Sequence, residues 1–363
     1  VKNKLTLIPH PKFLEFAKHF AVKYMLSDLV FVGDNRYSKR KLKGYSFRTC
    51  RFCNRSYPET AFSNLSHLLP KLIGNNDLYS DFECDDCNAL FSDYENSLAE
   101  YLGISRSIVG LQGQKIGPGF TAHRLKAKSR SFIGDKILIL APEDVKVDGN
   151  KTSISYVKNP YVPSKVYKAI LKSALSLLSD DDIERKYKAA TAYLKGEISM
   201  NSGADIIGYR MPFNLNMPLH VICFTKKNQG DRIPDHVICF NFQNHILTIP
   251  LPSDDLSKPG NLDVVIPPPY FTNERIIQQS DPIPFFQDLS GIAQILDDEE
   301  IISIQMEPEV LENMSCYDPV TDAHSQRPID RSGLKHIIIA KEGVVIDPKE
   351  LSVFIAEQME GNS

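Results

Sequence analysis

The chain has 363 residues, 42% of them hydrophobic and 24% charged, with no tryptophan and a formal net charge of −3. This composition suits a folded protein of two or three domains. No stretch approaches 18 consecutive apolar residues, so no hydrophobic membrane span is expected. Lys12, Glu15 and Lys18 interrupt the N-terminal apolar residues, which argues against a secretory signal.

The net charge conceals an asymmetry. Residues 1–60 hold 13 Lys/Arg against 4 Asp/Glu, whereas residues 61–102 hold one Lys against eight acids. Residues 103–135 turn basic again, and the remainder is acidic. Arg36, Lys39, Arg40, Lys41, Lys43, Arg48 and Arg51 alternate with Tyr37, Tyr45 and Phe47. A basic arm of this kind suits the tracking of nucleic-acid phosphates, because neutralising them releases counterions.

In chain order, residues 11–26 have helical spacing, with Pro11 at a first-turn position. Residues 34–48 are polar and predict a loop or weak strand. Next come two Cys-x-x-Cys pairs, Cys50/Cys53 and Cys84/Cys87. Each can close a knuckle that aims two thiolates at one point, so together they fill a tetrahedral Zn²⁺ site. Between them a β-hairpin carrying His67 is expected. A helix should start near Cys87 and run through Leu90, Phe91, Tyr94, Leu98 and Leu102 to Gly103. A unit with so small a core needs the metal as a staple.

Residues 104–120 are rich in glycine and read as a linker, with no Gly-Lys-Ser/Thr to make a phosphate-binding loop. Strands are expected within 132–157, then helices over about 164–178 and 181–195. From 205 the pattern is of strands: Ile206–Tyr209, His220–Phe224, His236–Phe242, His245–Ile249 and Leu262–Ile266. Residues 270–300 look irregular. Leu334–Lys341 and Val344–Ile346 suggest a last hairpin, with a terminal helix to about 358. His220 and His236 open similar strands and read as neighbours in a sheet, while Cys223, Cys239 and Cys316 read as small buried hydrophobes. The fold class is α+β, divided as a basic arm and zinc-stapled domain at 1–103, a linker at 104–130, and a larger α+β domain with a β-rich half at 131–363. Reduced thiols and a thiolate zinc site fit the cytoplasm.

Cys50-x-x-Cys53, Ser66-His67-x-x-Pro70, Gly74-Asn75-Asn76, Glu83-Cys84-Asp-x-Cys87-Asn88 and Phe91-x-x-x-Glu95 together resemble the zinc-knuckle HNH endonucleases. These are ββα-metal nucleases of bacterial defence and restriction systems. The resemblance covers about residues 48–102 and implies a DNA-cleaving hydrolase with structural zinc and a catalytic Mg²⁺ or Mn²⁺. It implies that His67 is the general base, an imidazole being titratable near neutrality, and that Asn88 ligates the catalytic ion. Asn76 (or Asn75) matches the asparagine that braces the loop. Many relatives place an acid before the histidine as a second ligand; here that position is Ser66. Glu95, two helical turns beyond Asn88 and on the same face, is the preferred substitute, ahead of Glu83 and Asp86. Arg36, Lys39, Arg40, Lys41, Lys43 and Arg51 are the candidate nucleic-acid contacts. Two other functions stand beside this one: a zinc module that binds nucleic acid without cleaving it, and a nuclease gated by a nucleotide second messenger in the C-terminal region. A homo-oligomer is compatible with any of them.

Overall fold

A computed structural model describes residues 7–32, 48–104, 119–122, 125–132, 135–140, 145–148, 151–199, 204–211, 217–254, 266–272, 274–279, 281–305, 315–318, 323–326 and 337–340, with isolated positions from 347 to 353. The basic arm from Arg36 to Lys43, most of the glycine-rich segment, and the expected strands at 262–265 and 344–346 lie outside the described residues. The terminal helix to about 358 also falls almost wholly outside them.

The elements mix helix and strand throughout, an α+β architecture. They begin with a short strand β1 (Ile8–Pro9), helix α1 (Leu14–Lys23) and strand β2 (Tyr24–Phe31). The knuckle region follows with β3 (Ser66–His67), β4 (Tyr79–Ser80) and α2 (Asp85–Leu102). Strands β5 (Gly119–Ala122), β6 (Leu125–Phe132), β7 (Asp135–Leu140), β8 (Val145–Asp148) and β9 (Lys151–Val157) come next. Three helices, α3 (Pro163–Ser176), α4 (Asp180–Lys186) and α5 (Lys188–Lys195), precede β10 (Asp205–Arg210), β11 (Met217–Lys226), β12 (His236–Gln243) and β13 (His245–Pro250). After these come β14 (Tyr270–Phe271), α6 (Glu274–Gln279), β15 (Ile283–Asp288), β16 (Glu299–Gln305), β17 (Ser315–Asp318), β18 (Ala323–Gln326) and β19 (Ile337–Ala340).

The chain divides into two units, each made of two separate segments: residues 1–102 with 160–295, and residues 103–159 with 296–363. Residues 160–295 thus belong to the same unit as the knuckle region. In the second unit, β5, β6, β7 and β19 form a four-stranded sheet, β8, β9 and β16 a three-stranded one, and β17 and β18 a hairpin. Within that unit Tyr156 donates from its hydroxyl to Glu300 Oε2 at 2.5 Å.

The first unit is built on a six-stranded antiparallel sheet in the order β15-β10-β13-β12-β11-β2. Strand alternation sends successive side chains to opposite faces. Ile222, Phe224, Val237 and Cys239 therefore meet Phe20 and Tyr24, the first of these from α1. Val221, Cys223, Phe240, Phe242, Leu247 and Ile249 point the other way, into a cluster shared with α2, α3, α5 and the knuckle. The knuckle is thus part of a continuous core.

Three local differences from the sequence reading have physical causes. The helix expected over 181–195 breaks at Tyr187, whose backbone leaves the helical region while its buried hydroxyl lies 2.7 Å from His236 Nδ1. Residues 24–26, expected as the end of the helix over 11–26, instead open the edge strand Tyr24–Phe31, which pairs with β11. Residues 283–288, expected as irregular, form the opposite edge. Here Phe285 lies over Gly208, where a Cβ would come within 2.3 Å of its ring and 2.7 Å of the Ile246 carbonyl.

Candidate functional site

Cys50, Cys53, Cys84 and Cys87 converge so that their sulfur atoms all lie within 4.8 Å of one another. Cys50 and Cys87 sulfurs are 3.7 Å apart, and those of Cys53 and Cys84 3.6 Å. A tetrahedron of thiolates around zinc, with Zn–S near 2.3 Å, has an edge of about 3.8 Å. The donor set and spacing therefore fit a structural zinc ion. Backbone bonds build the first knuckle: the Asn54 N–H donates to the Cys50 carbonyl (2.8 Å) and the Cys50 N–H to the Arg55 carbonyl (2.9 Å). Asn54 takes a left-handed conformation, φ 57°, which lets the chain turn back on itself. The second pair straddles the start of α2, Cys84 just before it and Cys87 on its first turn, where the Asn88 N–H donates to the Cys84 carbonyl at 2.9 Å. The hydrogen bond with Cys50, then burial, push the Cys87 thiol up, while burial leads the rise of Cys84. The same hydrogen bond with Cys87 holds the Cys50 thiol down to about 4.

The hairpin between the two pairs is held from several sides. Ser66 faces Ser80 and His67 faces Tyr79 across β3 and β4, with the His67 and Tyr79 rings 4.7 Å apart. Asn75 braces the connecting loop. Its amide donates to the carbonyls of Leu69 (2.7 Å) and Leu78 (2.9 Å), and its oxygen accepts from the Leu78 N–H (2.9 Å). This bracing belongs to Asn75, which is fully buried, whereas Asn76 is exposed and contributes its carbonyl to the Tyr79 hydroxyl. Asp85 ties the approach to the hairpin to the start of α2, accepting from the Ser63 and Asn64 N–H groups at 3.1 and 2.9 Å.

His67 is half-buried, with its Nδ1 shielded and without a hydrogen-bond partner. Burial, then the Lys71 and Lys172 charges, push its pKa down to about 4. Its ring is consequently neutral at ordinary pH, the form that accepts a proton. Ser66, where an acid stands in many HNH nucleases, is buried with its hydroxyl unpartnered. Asn88 is half-buried on the first turn of α2, and its side-chain amide enters no hydrogen bond among the described residues. Glu95 lies near Lys172, with burial raising its pKa and that lysine lowering it. Beyond the four cysteines, the described residues contain no group of three or more His, Cys, Asp or Glu side chains close enough to hold a metal.

Three residues take roles that the sequence reading did not assign. Glu83 is buried and pairs with Lys172 at 2.9 Å. Lys172 comes from α3, far outside the knuckle region, and a visible signal was available: it is a lone charge inside the run Ala169-Ile170-Leu171-Lys172-Ser173-Ala174-Leu175. Arg51, grouped with the candidate phosphate contacts, is committed elsewhere. It stacks on Phe82 at 3.6 Å, pairs with Asp180 at 2.8 Å, and donates to the Ser176 and Leu178 carbonyls.

No family model matches the chain, and no curated protein or solved structure matches it either. Among the described residues no helix is long and apolar enough to cross a membrane.

Proposed function

We propose that this chain is a metal-dependent endonuclease of the HNH type, hydrolysing DNA phosphodiesters with His67 as general base around a structural zinc. The observation that carries the proposal is the β3–β4 hairpin bearing a neutral histidine, followed by a helix that Cys84 immediately precedes and whose first turn holds Cys87 and then Asn88, two of the four converging cysteines thus lying at its start. A phosphodiester needs an activated water and a cation to balance charge on the departing oxygen. His67 takes the proton from the attacking water. Asn75 fixes the loop that sets the hairpin's pitch. Asn88 offers an uncommitted amide oxygen to a Mg²⁺- or Mn²⁺-type ion, which when bound neutralises charge building on the phosphate. Glu95, beside Lys172, is a weaker ligand candidate, because a carboxylate whose protonated form is favoured by burial gives up affinity for a cation.

A second reading, a zinc module that binds nucleic acid without cutting it, rests on Ser66, whose shielded hydroxyl supplies no acid at the usual ligand position. The two separate in one assay. Supercoiled plasmid, linear duplex and single-stranded RNA are incubated with the full chain and Mg²⁺ or Mn²⁺, beside His67→Ala. Nicking of DNA by wild type and not by His67→Ala supports the nuclease. Binding without cleavage by either protein supports the alternative, and equal cleavage by both would remove His67 from the chemistry.

A further inference from the structure

Lys172 sits on the buried face of α3 with 2% of its side chain exposed, and the carboxylate it pairs with, Glu83, has none exposed. Its ammonium donates to the backbone carbonyl of His67 at 2.7 Å and pairs with Glu83 Oε2 at 2.9 Å. Its Nζ also lies 5.7 Å from the centre of the Phe91 ring on α2. Glu83 immediately precedes the cysteine ligand Cys84. One ammonium group therefore reaches the hairpin that carries the histidine, the residue preceding the second knuckle, and the helix behind both.

We infer that Lys172 is a positioning residue of the nuclease site, locking the His67 segment of the hairpin to the zinc knuckle through Glu83. The inference rests on the nuclease reading and extends it to a helix that shares none of the HNH-like residues. An ammonium is well suited to the task. It has three donors on a compact point charge, so it can serve a carbonyl and a carboxylate at once. Burying that charge is costly, and a buried ion pair seldom repays its desolvation in stability. Its use here is geometric: it fixes the carbonyl of the residue whose ring must meet the attacking water, where a misplacement of 1 Å costs about 100-fold in rate. Tyr79 packs against the ring and Asn75 braces the connecting loop, while Lys172 is the side chain that bonds the backbone of His67 itself. A pairing of only two residues, Ser66↔Ser80 and His67↔Tyr79, is too short to hold itself.

The test uses the full chain carrying Lys172→Met together with Glu83→Gln, which removes both charges and leaves no carboxylate stranded. Zinc per chain, thermal unfolding, DNA Kd, kcat and KM are compared with wild type, and amide exchange is followed across residues 66–80. The expected result is unchanged zinc and Kd, a loss in kcat of about 100-fold with KM unchanged, and faster exchange at Leu68, whose N–H donates to Leu78. Glu83→Gln alone retains the ammonium and its bond to the His67 carbonyl, and is expected to lose less than the pair. If wild type cleaves and the double variant cleaves at the same rate with unchanged exchange, Lys172 is only a packing residue and the inference falls. If zinc is lost with the rate, the role is structural and the inference likewise falls. A wild-type protein that leaves every substrate intact overturns the nuclease reading, and this inference with it.

Discussion

His67 owes its protonation state to its surroundings. The ordinary value of 6.5 is lowered to about 4 by burial, Lys71 and Lys172. Neutral imidazole is the working form of a base, so the rate is expected to stay level as pH falls through 6.5 and to decline only toward about 4. A cleavage profile with its acid limb centred at 6.5 would show that the ring is solvated as in a free peptide. Stability carries the same sign. The unfolded chain binds this proton first, so His67 withdraws stability as pH falls from 6.5 toward about 4, and urea midpoints measured across that window report it. Arg51 gives a contrasting residue-scale expectation. Arg51→Ala removes the stack on Phe82, two carbonyl contacts and an ion pair, and should lower stability by about 1–3 kcal/mol. DNA affinity should be unchanged, and thermal unfolding beside a binding isotherm separates the two effects.

Among the elements, those with strong internal signals were legible in advance. The period of apolar residues marked α2, and α3 followed from Val166, Ile170, Leu171, Ala174 and Leu175. The cysteine spacing marked both knuckles. What escaped were edges and breaks, because their causes are tertiary. β2 is a strand by virtue of pairing with β11, and β15 by pairing with β10; neither stretch alternates cleanly enough to declare itself. Likewise Asn75 and Asn76 are equivalent in sequence and differ only in which side chain the loop encloses. The role of β15 can be tested at Gly208. A methyl group there would collide with Phe285 and with the Ile246 carbonyl, so Gly208→Ala should cost about 1–3 kcal/mol by overpacking. Phe285→Ala in the same chain should recover part of that loss, as measured by denaturant midpoint. The knuckles carry a harsher expectation. Cys84→Ser, or stripping with a chelator, should release the metal and expose residues 48–102 to protease, since binding energy at such sites is folding energy. Metal analysis paired with limited proteolysis would contradict this if the Cys84→Ser chain stayed resistant.

At the scale of the first unit, the four-cysteine segment is one wall of a larger core and not a free-standing module. The sequence could not announce this, because the residues that complete the core lie beyond a 57-residue excursion into the second unit, 103–159. Charge distribution, by contrast, was readable at this scale. Neutralising Lys39, Arg40 and Lys41 together should weaken DNA binding and lower the slope of log K against log salt by about 2–3, each phosphate contact being worth about 0.9. Stability should be unaffected. An unchanged slope would take the arm out of the interface.

The split architecture also sets a clock on synthesis. When Leu102 leaves the ribosome, the apolar faces of α2 and the knuckle have no partners, because α3 and the sheet strands through Leu251 are still to be made. At about 5–20 residues per second, that interval is roughly 7–30 s. During it a metal at the four cysteines would tie Cys50 and Cys53 to Cys84 and Cys87. A zinc ion bound at those thiolates would hold the segment together before the rest of the core exists, and a chain made without the metal would meet the fault while still growing.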